Sequence, residues 1–146
     1  MRRFEGKCVV ISGGNKGIGL AIAERLASEG ANIVIGAIEA DLSPAEQALS
    51  GYGVGVVTQR CDVTNADDVR ALFEAAEAFG GVDIAVQNAG VITIAKVEDL
   101  TEREWDLNLS VNTKGAFLCC QEAIRRLPAR FIGMPCTHSS ISAPGA

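Results

Sequence analysis

Short apolar runs alternate along this chain with longer stretches in which apolar residues recur every three to four positions. Residues 7–12, with Cys8-Val9-Val10-Ile11, read as a buried strand. A glycine-rich turn follows, then a helix over 18–29 with Ile18, Ile22 and Leu26 on one face and Gly30 as its stop. Residues 32–37 give a second strand. Ser43-Pro44-Ala45-Glu46 has the form of a capping box with proline at the first helical position. Residues 54–60 are the third strand. Thr64 or Asn65 caps the next helix, which sets Val69, Leu72, Phe73 and Ala76 on one face and stops at Gly80-Gly81. Residues 82–87 are the fourth strand. A second capping box, Thr101-Glu102-Arg103-Glu104, opens a longer helix through Trp105, Leu109, Phe117 and Ile124, ended by Pro128.

Strands that are apolar throughout, each followed by a helix, predict an α/β protein with a doubly wound parallel sheet. A fifth strand is due by spacing at 131–138, but Pro135 removes a ladder donor from its middle. The expected organisation is therefore one α/β domain over 1–127 and an irregular or altered tail over 128–146, with the sheet incomplete on its C-terminal side.

Composition narrows the partners. With 48% apolar and 21% charged residues, 146 residues suit one globular domain with a real core. A net charge of -5 and no basic stripe argue against nucleic acid and anionic membranes. The apolar run at the N-terminus is too brief for a signal segment or a membrane span, which makes a cytoplasmic location the expectation. Five cysteines (Cys8, Cys61, Cys119, Cys120, Cys136) show no C-x-x-C spacing and read as reduced, mostly buried thiols. No metal site is expected, since His138 is the one histidine and has no evident partner.

The strongest chemical signal is Ser12-Gly13-Gly14-Asn15-Lys16-Gly17-Ile18-Gly19, between a strand and a helix. Glycines there allow a tight turn and close approach of the backbone to a phosphate. The helix that begins near Gly17 turns its free N–H groups toward the same point. The arrangement is that of a Rossmann-type dinucleotide site.

These residues resemble the T-G-x-x-x-G-x-G loop of the short-chain dehydrogenase/reductase family, with Ser12 in place of threonine. Three further motifs follow in order. Asp62-Val63 resembles the family's Asp-Val after strand three, Gln87-Asn88-Ala89-Gly90 its N-N-A-G, and Asn112 its helix asparagine. The resemblance covers about 7–126. It implies that Gly13, Asn15, Lys16, Gly17, Ile18 and Gly19 hold the pyrophosphate side of NAD(P), and that Asp62 and Val63 meet the adenine ring. Asn88, Ala89 and Gly90 would lie beside the cofactor, and Asn112 would hold a water in a proton relay. On the residues alone, Asp62 also reads as a helix cap and Asn112 as a surface helix residue.

An acidic residue at the end of strand two would favour NAD and a basic one NADP. The two places are filled by Ala37 and Ile38, so neither signal is present. Lys16 inclines the reading to NADP, whereas Glu39 could repel a 2′-phosphate.

The resemblance implies hydride transfer between the nicotinamide and a carbonyl or alcohol, with a serine and a Tyr-x-x-x-Lys pair as acid/base machinery. Ser140, in Ser139-Ser140, falls where that serine belongs. The sequence stops at Ala146 without the pair. Tyr52 is the one tyrosine, and it lacks a lysine four residues on. A frameshift or early stop after about Leu127 is one expected explanation, and the chain is then expected to be inactive by itself. The alternatives are a non-catalytic dinucleotide-binding module or a self-associating fragment. Apolar surface left uncovered, together with the interface role of the Asn112 helix in the family, predicts a homo-oligomer.

Overall fold

The structure, a computed structural model, describes residues 2–127. The expected fifth strand, Ser140 and the proposed tail lie outside those residues.

Four parallel strands form one sheet in the order β3-β2-β1-β4: β1 Cys8–Ser12, β2 Asn32–Ala37, β3 Val56–Arg60 and β4 Ile84–Gln87. The order runs outward in one direction from β1 and then reverses to β4. Helices α1 (Gly17–Ser28) and α2 (Ser43–Leu49) flank the sheet along with α3 (Ala66–Glu74). They are joined by a final helical rod made of α4 (Glu102–Leu109), a π-helical stretch (Ser110–Gly115) and α5 (Ala116–Arg126).

Strand alternation divides the core in two. Val9 and Ile11 pack with Ala23, Ala27, Ile33, Ile35 and Leu49 on the side of α1 and α2. Cys8 and Val10 pack with Val34, Leu72, Phe73 and Cys119 on the side of α3 and α5. Successive side chains of a strand point to opposite faces, so an unbroken apolar run such as 8–11 has to be covered on both. That is the doubly wound arrangement expected from the sequence.

Several local expectations are met. Asn65 caps α3, its side chain accepting from the N–H groups of Asp67 and Asp68. The Thr101–Glu104 capping box is formed in both directions. The box at Ser43 is not. Asp41 captures Ser43 first, accepting its N–H at 3.0 Å and its hydroxyl at 2.6 Å, and Leu42 becomes the N-cap. Strands three and four start two residues later than expected, because side chains intervene at their beginnings. The Asn32 amide oxygen accepts the Gly55 N–H, and the Asp83 carboxylate accepts the Cys8 N–H.

The N-terminus is tied down by Glu29, buried at the end of α1, which pairs with both Arg3 and Arg25. Arg3 first, and then Arg25, hold its carboxyl down at about 2. Cys8, Cys61 and Cys119 are buried free thiols, each pushed up to about 12, chiefly by burial. Among the described residues no helix is long and apolar enough to cross a membrane.

Candidate cofactor site

A cleft of about 430 Å³ opens at the carboxyl ends of the strands. Each strand contributes the residues just after it or at its end. Gly13, Asn15, Lys16, Gly17 and Ile18 come from β1 onward, and Gly36 to Glu39 from β2. Cys61, Asp62 and Val63 follow β3, and Asn88 to Val91 follow β4. The cleft lies where strand order reverses, between β1 and β4, the position at which open α/β sheets bind ligands.

The N-terminus of α1 faces this cleft without neutralisation. Lys16 is its N-cap, no side chain caps it, and its first turn contains no acidic residue. The helix therefore presents unsatisfied N–H groups and the positive end of its dipole. Gly19 is what allows the loop to fold so tightly onto the helix. A Cβ there would stand 2.2 Å from the Gly13 carbonyl oxygen and 2.5 Å from Asn88 Nδ2.

Asn88 locks the loop to β4. Its Nδ2 donates to Gly13 O at 2.8 Å and to Ser12 O at 3.3 Å. Ser12 completes the join from below: its buried Oγ accepts the N–H groups of Asn88 at 3.1 Å and Ala89 at 3.2 Å. Gln87, buried beside it, receives the Ser12 hydroxyl at 3.5 Å. Ser12 was read from the sequence only as part of the loop motif. Here it is the pin that fixes the distance between the two loops.

Asp62 does not cap α3. Its Oδ1 accepts the N–H and hydroxyl of Thr64, and its own N–H donates to Asp68. The turn so formed carries Val63 against Gly115 of the π-helical stretch.

Asn112 lies within that stretch, and such π turns recur at functional sites. Its Oδ1 accepts the Val91 N–H at 2.8 Å and its Nδ2 donates to Val91 O at 2.7 Å. One turn earlier Asn108 does the same kind of work on Thr93, accepting its N–H and donating to its hydroxyl. Two asparagines four residues apart thus hold the segment after β4. The spacing was visible in the sequence, but its partner was not. Since the Asn112 amide is engaged with Val91, a water held there would have to share those atoms.

At the outer rim Lys16 Nζ meets Glu39 Oε1 at 2.5 Å. This ion pair, then Glu39's own backbone N–H, holds the Glu39 carboxyl below its usual range. Tyr52 does not line the cleft. It sits in a 3-10 turn, half-buried against the core on the α1 and α2 side.

The family model for short chain dehydrogenases matches residues 7–143. The chain belongs to the short-chain dehydrogenase family. The match continues past Arg126, the limit to which the sequence motifs alone were followed. The chain is 33% identical over 145 residues to the D-beta-hydroxybutyrate dehydrogenase of Cupriavidus necator, covering 95% of this chain and 56% of that protein. It is 38% identical over 128 residues to the short chain dehydrogenase claC of Passalora fulva, covering 86% and 48%. Among solved structures, a short chain dehydrogenase from Burkholderia cenocepacia J2315 in complex with NADP superposes with a TM-score of 0.79 at 36% identity. That superposition covers 86% of this chain and 52% of the other. A short-chain type dehydrogenase/reductase from Mycobacterium marinum gives a TM-score of 0.80 at 34% identity. The chain spans about half the length of the curated relatives it matches.

Proposed function

We propose that the chain binds NAD(P) in the cleft at the carboxyl ends of its strands and belongs to a hydride-transferring oxidoreductase acting on a small carbonyl or alcohol. The observation that carries this reading is the uncapped N-terminus of α1, opening into a cleft lined from all four strands. A pyrophosphate fits it: the loop offers backbone N–H groups, the helix dipole favours an anion, and Gly19 lets the loop lie close on the helix.

On this reading Gly13, Asn15, Lys16, Gly17, Ile18 and Gly19 hold the phosphates, and Asp62 and Val63 border the adenine. Asn88, Ala89 and Gly90 form the floor. When bound, the cofactor supplies the hydride-exchanging nicotinamide. The chain's own part is to fix the dinucleotide and exclude water from it. Asn112 sets the height of the loop after β4, and through it the floor of the site. Its relay role and that of Ser140 are part of the same proposal. Lys16 supports an inclination to NADP, in keeping with the NADP held by the Burkholderia cenocepacia relative.

A second reading is a dinucleotide binder without turnover, supported by a cleft whose lining, among the described residues, offers a cradle for the dinucleotide and no tyrosine. The exposed apolar residues Trp105, Leu109, Phe117 and Ile124 along α4 and α5 support self-association of the chain, and a cytoplasmic location completes the proposal.

Fluorescence titration with NADPH and NADH tests binding, and cofactor consumption over a panel of ketones, sugars and polyols tests turnover. Saturable quenching without consumption selects the binder. Consumption selects the enzyme. Absence of binding to either cofactor contradicts both.

A further inference from the structure

We infer that Glu39 sets how this site treats the 2′ position of the adenine ribose, by holding Lys16 in an ion pair across the rim of the cleft. The inference rests on the dinucleotide reading above.

The pair is a product of the sheet. β1 and β2 are parallel neighbours with Ser12 opposite Gly36. The loop after one and the turn after the other therefore rise side by side, which brings together residues 16 and 39. Lys16 is the only cationic residue lining the cleft among the described residues. Its ammonium is bound to the Glu39 carboxylate. In dinucleotide folds a carboxylate at the end of the second strand accepts from the ribose 2′-hydroxyl, while a nearby cation receives a 2′-phosphate. At this rim both are present and are bonded to each other. The positions that usually decide the matter hold Ala37, which is buried, and Ile38, whose side chain has no polar atom to offer.

The consequence is a graded selectivity. A 2′-hydroxyl donates to Glu39 without disturbing the pair. A 2′-phosphate needs the Lys16 ammonium and meets the carboxylate that already holds it. The pair is exposed, with side-chain accessibilities of 77% for Lys16 and 35% for Glu39. It therefore yields to a competing dianion instead of excluding it. Removing the carboxylate relieves the repulsion and frees the ammonium together, which is expected to strengthen phosphate binding about tenfold.

Adenosine 2′,5′-bisphosphate and adenosine 5′-monophosphate are suitable probes, since they differ at the 2′ position and need no nicotinamide pocket. Calorimetric titration of the full chain is expected to give affinities for the two within about threefold of each other. Glu39→Gln should bind the bisphosphate about tenfold more tightly and the monophosphate no more tightly, since its 2′-hydroxyl exchanges a charged acceptor for a neutral one. Lys16→Gln should weaken the bisphosphate, and Glu39→Gln made in that background should bring only the smaller gain that relief of repulsion gives. That last result separates a direct contest for Lys16 from a general change in surface charge. Both probes binding with an unchanged ratio in Glu39→Gln, or an equal gain in the absence of Lys16, overturns the inference. Failure of both probes to bind overturns the dinucleotide reading beneath it.

Discussion

Gly19 and Gly17 are two residues apart in the same loop, and the structure assigns them different reasons for being glycine. Replacing Gly19 by alanine drives a methyl to 2.2 Å from the Gly13 carbonyl oxygen and 2.5 Å from Asn88 Nδ2. Those two atoms are themselves hydrogen-bonded at 2.8 Å, so they cannot part without losing that bond. The lost bond costs about 1 kcal/mol and the overpacking about 1–3 kcal/mol. Alanine's better helix propensity returns at most about 1 kcal/mol. Gly19→Ala should therefore destabilise the fold by about 2 kcal/mol and abolish dinucleotide binding, because the phosphate loop is displaced. Gly17 is different. Its φ is +54°, but a Cβ there meets nothing within 4 Å. Gly17→Ala should cost about 1 kcal/mol of backbone strain, and weaken binding far less. Urea unfolding of both variants, paired with NADPH titration, reads the contrast. Equal losses in the two, or a Gly19→Ala chain that binds normally, would refute the steric reasoning.

Three further outcomes follow from named contacts. Ser12→Ala removes the acceptor of two backbone N–H groups and should cost about 2 kcal/mol in urea unfolding, while Ser12→Thr, which keeps the hydroxyl, should cost much less. Asn65→Ala should cost about 1 kcal/mol, since it uncaps α3, and a loss near zero would mean that another group takes over the cap. Glu29 ties acid stability to the N-terminus. Its carboxyl lies at about 2 in the folded chain against an ordinary 4.5, so its stabilisation is complete above 4.5 and fades as pH falls toward 2. Glu29→Gln should flatten the pH dependence of the melting temperature within that window, and an unchanged slope would count against the Arg3–Glu29–Arg25 cluster.

What could be read from the sequence was whatever depends on near neighbours. The strands were legible because each is a short apolar run that must be covered on two faces. Asn65 and Thr101 were legible as caps because their partners lie two and three residues on. The box at Ser43 failed on the same scale: Asp41, a charged acceptor two residues earlier, outcompetes Glu46 for Ser43. The π-helical stretch around Asn112 was not legible, since the apolar spacing of a long helix looks the same on either side of a local widening. The loop motif announced the phosphate site, but not what fixes it in place. Ser12 acts on residues 76 and 77 positions away, and Lys16 meets Glu39 only because β1 and β2 are adjacent. Such contacts belong to strand order, which short-range pattern does not contain.

The central claim is that a dinucleotide occupies the cleft above β1 and β4. Its most direct test is amide chemical-shift mapping of the isotope-labelled chain during NADPH titration. The account predicts saturable shifts at Gly13, Lys16 to Gly19, Asp62, Val63 and Asn88 to Val91, with Gly53, Gly80 and Gly81 at the opposite ends of the strands unmoved. Shifts centred elsewhere, or none at saturating cofactor in a folded chain, would contradict it.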